Sequence, residues 1–435
     1  MKSDPLEKLL AVVIDHRGKT PKKLGGDFVG FGVPVLSARH ISGGQIVARN
    51  ELRFVSPQMY AKWMPIPLQR GDVLLTSEAP LGELFWLKDK TEYVLGQRLF
   101  ALRPDPTKID PGYLYYFLKT SQGQAALHGR ASGSTVQGIR QSELLKVEIE
   151  LPDTLNEQRG IAAALRSLDD RINHNRALAT NLEAIVRRLF KSWFVDFDPV
   201  RAKAVGEKPA GRADDIAVLF PDRFVDSELE EVPEGWKVGA LGDVCELNPE
   251  TWSTRKHPEI LQYIDLSNVK FGCIEEATSY LWDESPSRAR RVLRCGDTIV
   301  GTVRPGNRSF ALIATDGLTG STGFAVLRPS YSHHREYLYL AATSDDAIER
   351  LAHLADGAAY PAVRPDVVTG AEIVIPNDEI MRQFSVITCP MFDQIAVCQS
   401  ESSALSSLRD LLLPRLISGK LRVADAETLI EEAIA

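Results

Sequence analysis

The sequence predicts a mixed α/β (α+β) protein of two tandem modules separated by two long helices packed as an antiparallel coiled coil. Three observations support this. The two halves of the chain repeat in order and spacing, each copy opens with short strand-like segments, and each copy closes on a long helical stripe.

The repeat comes first. Arg70-Gly71-Asp72-Val73-Leu74-Leu75-Thr76 corresponds to Cys295-Gly296-Asp297-Thr298-Ile299-Val300-Gly301 at an offset of 225. Ala101-Leu102-Arg103-Pro104 pairs with Val326-Leu327-Arg328-Pro329, and Tyr113-Leu114-Tyr115 with Tyr337-Leu338-Tyr339. Val147 to Pro152 then matches Ala371 to Pro376. Within a copy, Val33-Pro34-Val35-Leu36, Val73-Leu74-Leu75-Thr76 and Leu99-Phe100-Ala101-Leu102 are apolar runs flanked by Gly, Pro or charge, as strands require.

After each terminal proline the period changes to helical. The first stripe runs Ile161, Leu165, Leu168, Ile172, Leu178, Leu182, Ile185, Leu189; the second runs Phe384, Ile387, Met391, Ile395, Leu405, Leu408, Leu412, Leu416. A single helix over 156–192 would span about 55 Å. Each stripe must bury itself, and the equivalent helix of the other copy is the simplest partner. Pro390 and Pro414 argue for interruptions, which leaves packing inside separate domains as the alternative. The expected organisation is a module at 1–153, a helix at 154–203, a linker at 204–234, a module at 235–376, a helix at 377–420 and a tail at 421–435.

Bulk composition sets the function classes. At 435 residues two or more domains are expected. No apolar run approaches the 18 or so residues that cross a bilayer. The N-terminus has an acidic lead-in and no small-residue cleavage pattern, so the cytoplasm is expected. Cys245, Cys273, Cys295, Cys389 and Cys398 lack the paired spacing of zinc sites and are expected to be buried free thiols. A formal charge of −7 argues against nucleic acid. However, residues 1–153 are slightly basic, and the acidic run Asp214, Asp215, Glu228, Glu230, Glu231, Glu234 lies in the linker, so a local basic face is compatible with the total.

Further wordings add to the ordered repeat: Lys191 to Val200 (KSWFVDFDPV), Leu219-Phe220-Pro221-Asp222, Val232-Pro233-Glu234-Gly235-Trp236, and Leu413 to Leu421 (LPRLISGKL). With them, nearly the whole chain resembles the DNA specificity subunits of type I restriction-modification systems. The resemblance implies two target recognition domains, each reading half of a bipartite site, with the helices as ruler and docking surface. It implies double-stranded DNA, two methyltransferase subunits and, through them, restriction (translocase) subunits as partners. It implies no cofactor in this chain, with S-adenosylmethionine, ATP and Mg held by partners. Because the two modules differ in sequence, an asymmetric target is expected.

Base readout and phosphate contact need forked polar and basic side chains. In the first module these are Arg17, Lys19, Lys22 and Lys23 of a basic turn, Ser37 and Arg39 after a strand, and Arg130, Ser134, Thr135, Gln137 and Arg140 of a polar loop, the loop being favoured. His40 is read as a packing residue. In the second module they are Asn268, Arg304, Asn307, Arg308, Ser321, Thr322, Tyr360 and Arg364, although this module is acidic overall and its Asp356–Arg364 loop lacks the run of hydroxyls.

Enzyme readings fail on context. Phe28-Val29-Gly30-Phe31-Gly32 fits the Phe-x-Gly-x-Gly pattern of S-adenosylmethionine sites, but it runs into a strand where a helix should open, and no base-holding Asn-Pro-Pro motif follows. Neither a phosphate loop nor a nuclease cluster is present. The rival class is a coiled-coil scaffold without DNA binding, which salt dependence would separate from a DNA reader.

Overall fold

The computed structural model describes residues 2–209, 214–227, 231–357 and 360–434. Glu228 and Glu230 of the acidic run, and Ala358 and Ala359 of the second polar loop, lie outside the described residues. The chain divides into two compact units, one of residues 1–173 with 404–435 and one of residues 174–403. The boundaries cut through both long helices, so each half-helix belongs to the module whose core it completes.

In the first unit the strands are β1 (Lys2–Pro5), β2 (Leu10–Asp15), β3 (Val33–Leu36), β4 (Arg53–Val55), β5 (Val73–Ser77), β6 (Leu81–Trp86), β7 (Val94–Leu95), β8 (Leu99–Pro104) and β9 (Glu148–Leu151). Helices α1 (Pro111–Lys119) and α2 (Ser121–His128) precede β9, and α3 (Leu155–Phe194) follows it. The central antiparallel sheet has the order β2-β8-β5-β6. Its strands alternate with period two and both faces are covered. Val73, Leu75, Phe100 and Leu102 face a core shared with the helices, whereas Leu74, Leu99 and Ala101 face a second core under the smaller sheet β4-β3-β7.

The second unit repeats the plan with β10 (Lys237–Ala240), β11 (Cys245–Leu247), β12 (Ile260–Ile264), β13 (Thr278–Leu281), β14 (Ala289–Val292), β15 (Thr298–Gly301), β16 (Phe310–Leu312), β17 (Leu318–Ser321), β18 (Phe324–Pro329), α4 (Arg335–Ala342), α5 (Asp345–Leu354), β19 (Glu372–Ile375) and α6 (Asp378–Ile417). Its sheet β11-β18-β15-β16 matches the first central sheet, and the mixed sheet β13-β12-β17-β14 replaces β4-β3-β7.

The repeated sequence signatures are structural. In the Gly-Asp turns, Gly71 (φ +99°) and Gly296 (φ +90°) take the left-handed conformation. The following aspartates are buried and bidentate: Asp72 accepts from Arg103 Nε and a terminal guanidinium nitrogen, both at 2.8 Å, and Asp297 accepts from Arg328 at 2.8 and 2.9 Å. Tyr113 and Tyr337 each donate a 2.7 Å hydrogen bond to the last strand of their module, at Glu150 and Val374.

Helices α3 and α6 are each 40 residues long and uninterrupted. Pro390 and Pro414 do not break α6. The carbonyls they leave without an N–H donor belong to Val386 and Asp410, both exposed to water. In the first unit Ile161, Leu165, Leu168 and Ile172 of α3 share a core with Leu405, Leu412 and Leu416 of α6. In the second unit Val186 and Phe190 share one with Phe384, Phe392 and Ile395. Early residues of one helix thus meet late residues of the other, the antiparallel pairing expected. The stripe needs one correction: Ile185 is 51% exposed, and Val186, Phe190 and Trp193 take the inward positions.

Two further corrections concern the ends and the thiols. The segment read as a tail contains α7 (Val423–Ile434), whose Ala426 and Ile430 are buried in the first unit's core. Of the cysteines only Cys245 and Cys398 are buried; Cys295 sits exposed on the Gly-Asp turn, its thiol donating to Ala314 O at 3.2 Å. Between the modules the described linker residues form short helices at Asp198–Ala204 and Asp214–Leu219 and an antiparallel pair of strands, Phe224–Asp226 with Glu231–Pro233.

Candidate nucleic-acid interface

Each unit carries one groove at the same place in its topology. In the first, β3 and β7 run parallel, with Leu36 against Leu95, and the chain leaves them through Ser37–His40 and Gly96–Arg98. In the second, β12 and β17 run parallel, with Ile264 against Gly320, and the exits are Asp265–Asn268 and Ser321–Gly323. Parallel strands deliver both C-terminal ends to one edge, so the two exits converge there. The turn after the next strand of each central sheet adds Ala79 in one unit and Arg304 in the other.

The first groove encloses about 420 Å³ and is lined by Lys19, Arg39, Arg53, Arg98, Ser37 and Gln97 above Phe28 and Trp63. The second encloses about 920 Å³ and is lined by Lys270, Arg288, Arg304, Asn307, Thr322 and Tyr360. Among the described residues neither lining includes an Asp or Glu. The negative total charge therefore coexists with cation-lined grooves, the local arrangement that phosphate contact requires.

Beside each groove stands a closed loop. Ser132 and Gly138 exchange backbone hydrogen bonds at 2.9 and 3.0 Å, and Asp356 and Ala362 do the same at 3.1 and 2.9 Å. Gly133 and Gly357 both have φ +117°, a conformation that L side chains rarely adopt. Ile139 N donates to Ser77 O and Val363 N to Thr302 O, both at 2.9 Å, docking each loop on its central sheet. Val136 and Tyr360, equivalent in the repeat, are 51% and 71% exposed at the loop tips. Arg304 lies 4.7 Å from the Tyr360 ring centre, and its N–H donates to Pro361 O at 2.7 Å.

The expected contact residues fall into three groups. Lys19, Ser37 and Arg39 come together in the first groove, and Arg304, Asn307, Thr322 and Tyr360 in the second. Lys22 and Lys23 are exposed on an adjoining 3₁₀ turn, Ser134, Thr135 and Gln137 are exposed on the first loop, and Arg140 and Arg364 are exposed at the N-caps of the helices that follow the loops.

The third group is engaged inside the fold. Arg17 pairs with Asp15 at 2.8 Å and stacks 4.0 Å above the Phe100 ring, so it braces the sheet. Ser321 is buried on β17, where its hydroxyl accepts from Gly323 N, and Asn268 closes a turn with Asp265. Arg308 pairs with Asp345 and Arg130 with Glu143. His40 is a packing residue, as read. Burial, helped by neighbouring Arg39, holds its imidazole below the ordinary range, and Nδ1 accepts from Ser37 N at 3.0 Å, which leaves the proton on Nε2.

Arg53, Gln97, Arg98, Lys270 and Arg288 were missed. The repeat itself carried a signal for one of them: Thr322 stands 225 residues after Gln97, so naming Thr322 projects onto Gln97.

Residues 13–184 match the family described as type I restriction modification DNA specificity domain. Over 420 residues the chain is 25% identical to the type I restriction enzyme MjaIX specificity subunit of Methanocaldococcus jannaschii, covering 94% of this chain and 91% of that one. It is also 25% identical over 418 residues to the HindI specificity subunit of Haemophilus influenzae, covering 81% and 87%. Its fold is similar to the crystal structure of the type I restriction-modification S subunit from M. genitalium, with a TM-score of 0.59 at 16% identity over 95% of each chain. Over nearly its whole length the chain is thus similar in sequence to DNA specificity subunits of type I restriction-modification systems, and its duplicated modules and paired long helices share the fold of one of them.

Proposed function

We propose that the chain reads an asymmetric bipartite DNA site, one half through each groove and its loop, and does no chemistry itself. The observation that carries this is the pair of topologically equivalent grooves lined by cations but by different side chains: Lys19, Arg39 and Gln97 in one, Arg288, Asn307 and Thr322 in the other. Equivalent frames with different linings suit two different half-sites with an unread gap between them.

Helices α3 and α6 act as the ruler and dock two methyltransferase subunits, through which restriction subunits join. S-adenosylmethionine, ATP and Mg belong to those partners, and the assembly works in the cytoplasm. A scaffold without DNA binding is not favoured, because the chain's similarity to DNA specificity subunits supports sequence recognition. The test is to co-express the chain with its methyltransferase subunit and map adenine methylation across a host genome. A new motif of two short halves around a fixed gap supports the proposal. A stable, methylation-competent complex that produces no motif refutes it.

A further inference from the structure

The Phe28-Val29-Gly30-Phe31-Gly32 segment, which no cofactor reading absorbs, holds a phenylalanine that the fold leaves uncovered. Phe31 is 90% exposed, the highest value of any large apolar side chain among the described residues. It is not at the end of a loose loop. Before it, Val29 N donates to Phe54 O at 2.9 Å; after it, Gly32 lies so close to Val55 that a Cβ there would meet the Val55 carbonyl oxygen at 2.3 Å. The backbone is therefore tied to β4 on both sides, and the ring is presented outward.

Cations stand on the elements flanking this loop. Phe28, three residues earlier, lines the first groove beneath Arg53, whose guanidinium lies 4.1 Å from its ring centre. Lys22 and Lys23 are exposed on the preceding turn, and Lys19 and Arg39 line the same groove. Nearby carboxylates are Asp27, whose Oδ1 accepts Phe28 N, and Glu51, paired with Arg39 at 3.1 Å. An apolar ring held rigidly amid exposed lysines and arginines fits a polyanion that also offers an apolar interior, and duplex DNA has that combination in its phosphates and stacked bases.

We infer that Phe31 is a wedge that enters the base stack at one step of the half-site read by the first module, the surrounding cations holding the phosphates on either side. Side chains of this kind unstack a step and kink the duplex, most readily at flexible pyrimidine–purine steps. The module would then read deformability as well as base edges. This inference rests on the DNA-reading proposal above and adds a residue and a distortion to it.

The test uses the assembled complex with methyltransferase subunits and duplexes carrying the mapped site, with 2-aminopurine placed in turn at each position of the first half-site. The wild-type complex should raise 2-aminopurine fluorescence at one step. Phe31→Ala should abolish that rise and weaken binding about 10- to 100-fold, the range expected for losing a buried aromatic side chain. The slope of affinity against salt should stay unchanged, since no phosphate contact is lost. Phe31→Leu should retain part of both signals. If Phe31→Ala keeps the fluorescence rise and the affinity, the wedge is refuted while the DNA-reading proposal stands. If the substitution impairs assembly with methyltransferase but not DNA binding by the assembled complex, the ring is a protein contact and the wedge is again refuted. Failure of the wild-type complex to bind the duplex removes the DNA-reading proposal and the wedge with it.

Discussion

Asp169 on α3 and Arg409 on α6 form an ion pair at 2.8 Å, and the second oxygen of Asp169 accepts the Tyr116 hydroxyl at 2.8 Å. Both charged side chains are largely buried, with 12% and 18% of their surfaces exposed. The pair joins the two long helices and the module helix α1 in one polar contact inside an apolar core, so it specifies which residues of the helices meet.

Removing Asp169 leaves the buried Tyr116 hydroxyl without its acceptor and Arg409 with only the exposed Asp410, 2.8 Å away, as partner. Asp169→Ala should destabilise the protein by about 2–4 kcal/mol. The double variant Asp169→Leu/Arg409→Met should recover much of that loss, because an apolar pair of similar volume carries no desolvation cost. Denaturant unfolding of both variants checks this, and equal loss in the single and double variants would contradict it.

The buried Asp72–Arg103 and Asp297–Arg328 pairs occupy the same position in the two modules, but Arg328 also pairs with Glu250. Asp72→Ala should cost about 3 kcal/mol and Asp297→Ala less, because Arg328 keeps a carboxylate partner. Hydrogen exchange should show the loss concentrated in the module that carries the substitution. Protection lost equally in both modules would contradict their structural independence.

Acid should weaken the first module through His40. Its folded pKa is lowered by burial, so the folded state binds fewer protons than the unfolded state below the ordinary imidazole value of about 6.5. The stability it contributes is complete above that value and is lost as pH falls through the folded pKa. Thermal unfolding between pH 7.5 and pH 5 should therefore show a falling midpoint, and His40→Gln should flatten part of the decline. An unchanged pH profile in that variant would show that His40 is not a source of it.

Helix α7 should behave as part of the core. Ile430→Ala should destabilise the first unit by about 2–4 kcal/mol, as for other buried large-to-small changes. Denaturant unfolding measures the loss, and an effect below about 0.5 kcal/mol would mean that the helix packs only loosely.

These relationships show which features the sequence exposed. The repeat was legible because a buried Asp–Arg pair and a strand-holding tyrosine tolerate little change, so Gly71-Asp72 and Tyr113 recur as words at Gly296-Asp297 and Tyr337. The long helices were legible from their apolar period, but not their phase beyond Ile172. There Ile185 and Val186 are both apolar, and only the packing partners decide which turns inward. Helix α7 was missed because just two of its residues are deeply buried, too few to establish a period. The grooves were half legible. Hydroxyls and cations at strand exits could be named, but whether an arginine faces solvent or a carboxylate depends on distant residues: Asp15 for Arg17, Asp345 for Arg308.

The claim that each module reads its own half-site is tested most directly by exchanging residues 1–153 for the corresponding module of another specificity subunit and mapping adenine methylation again. A motif altered in one half, with the other half and the gap preserved, is the predicted result. A motif altered in both halves or in neither, from a complex that still methylates DNA, would contradict it.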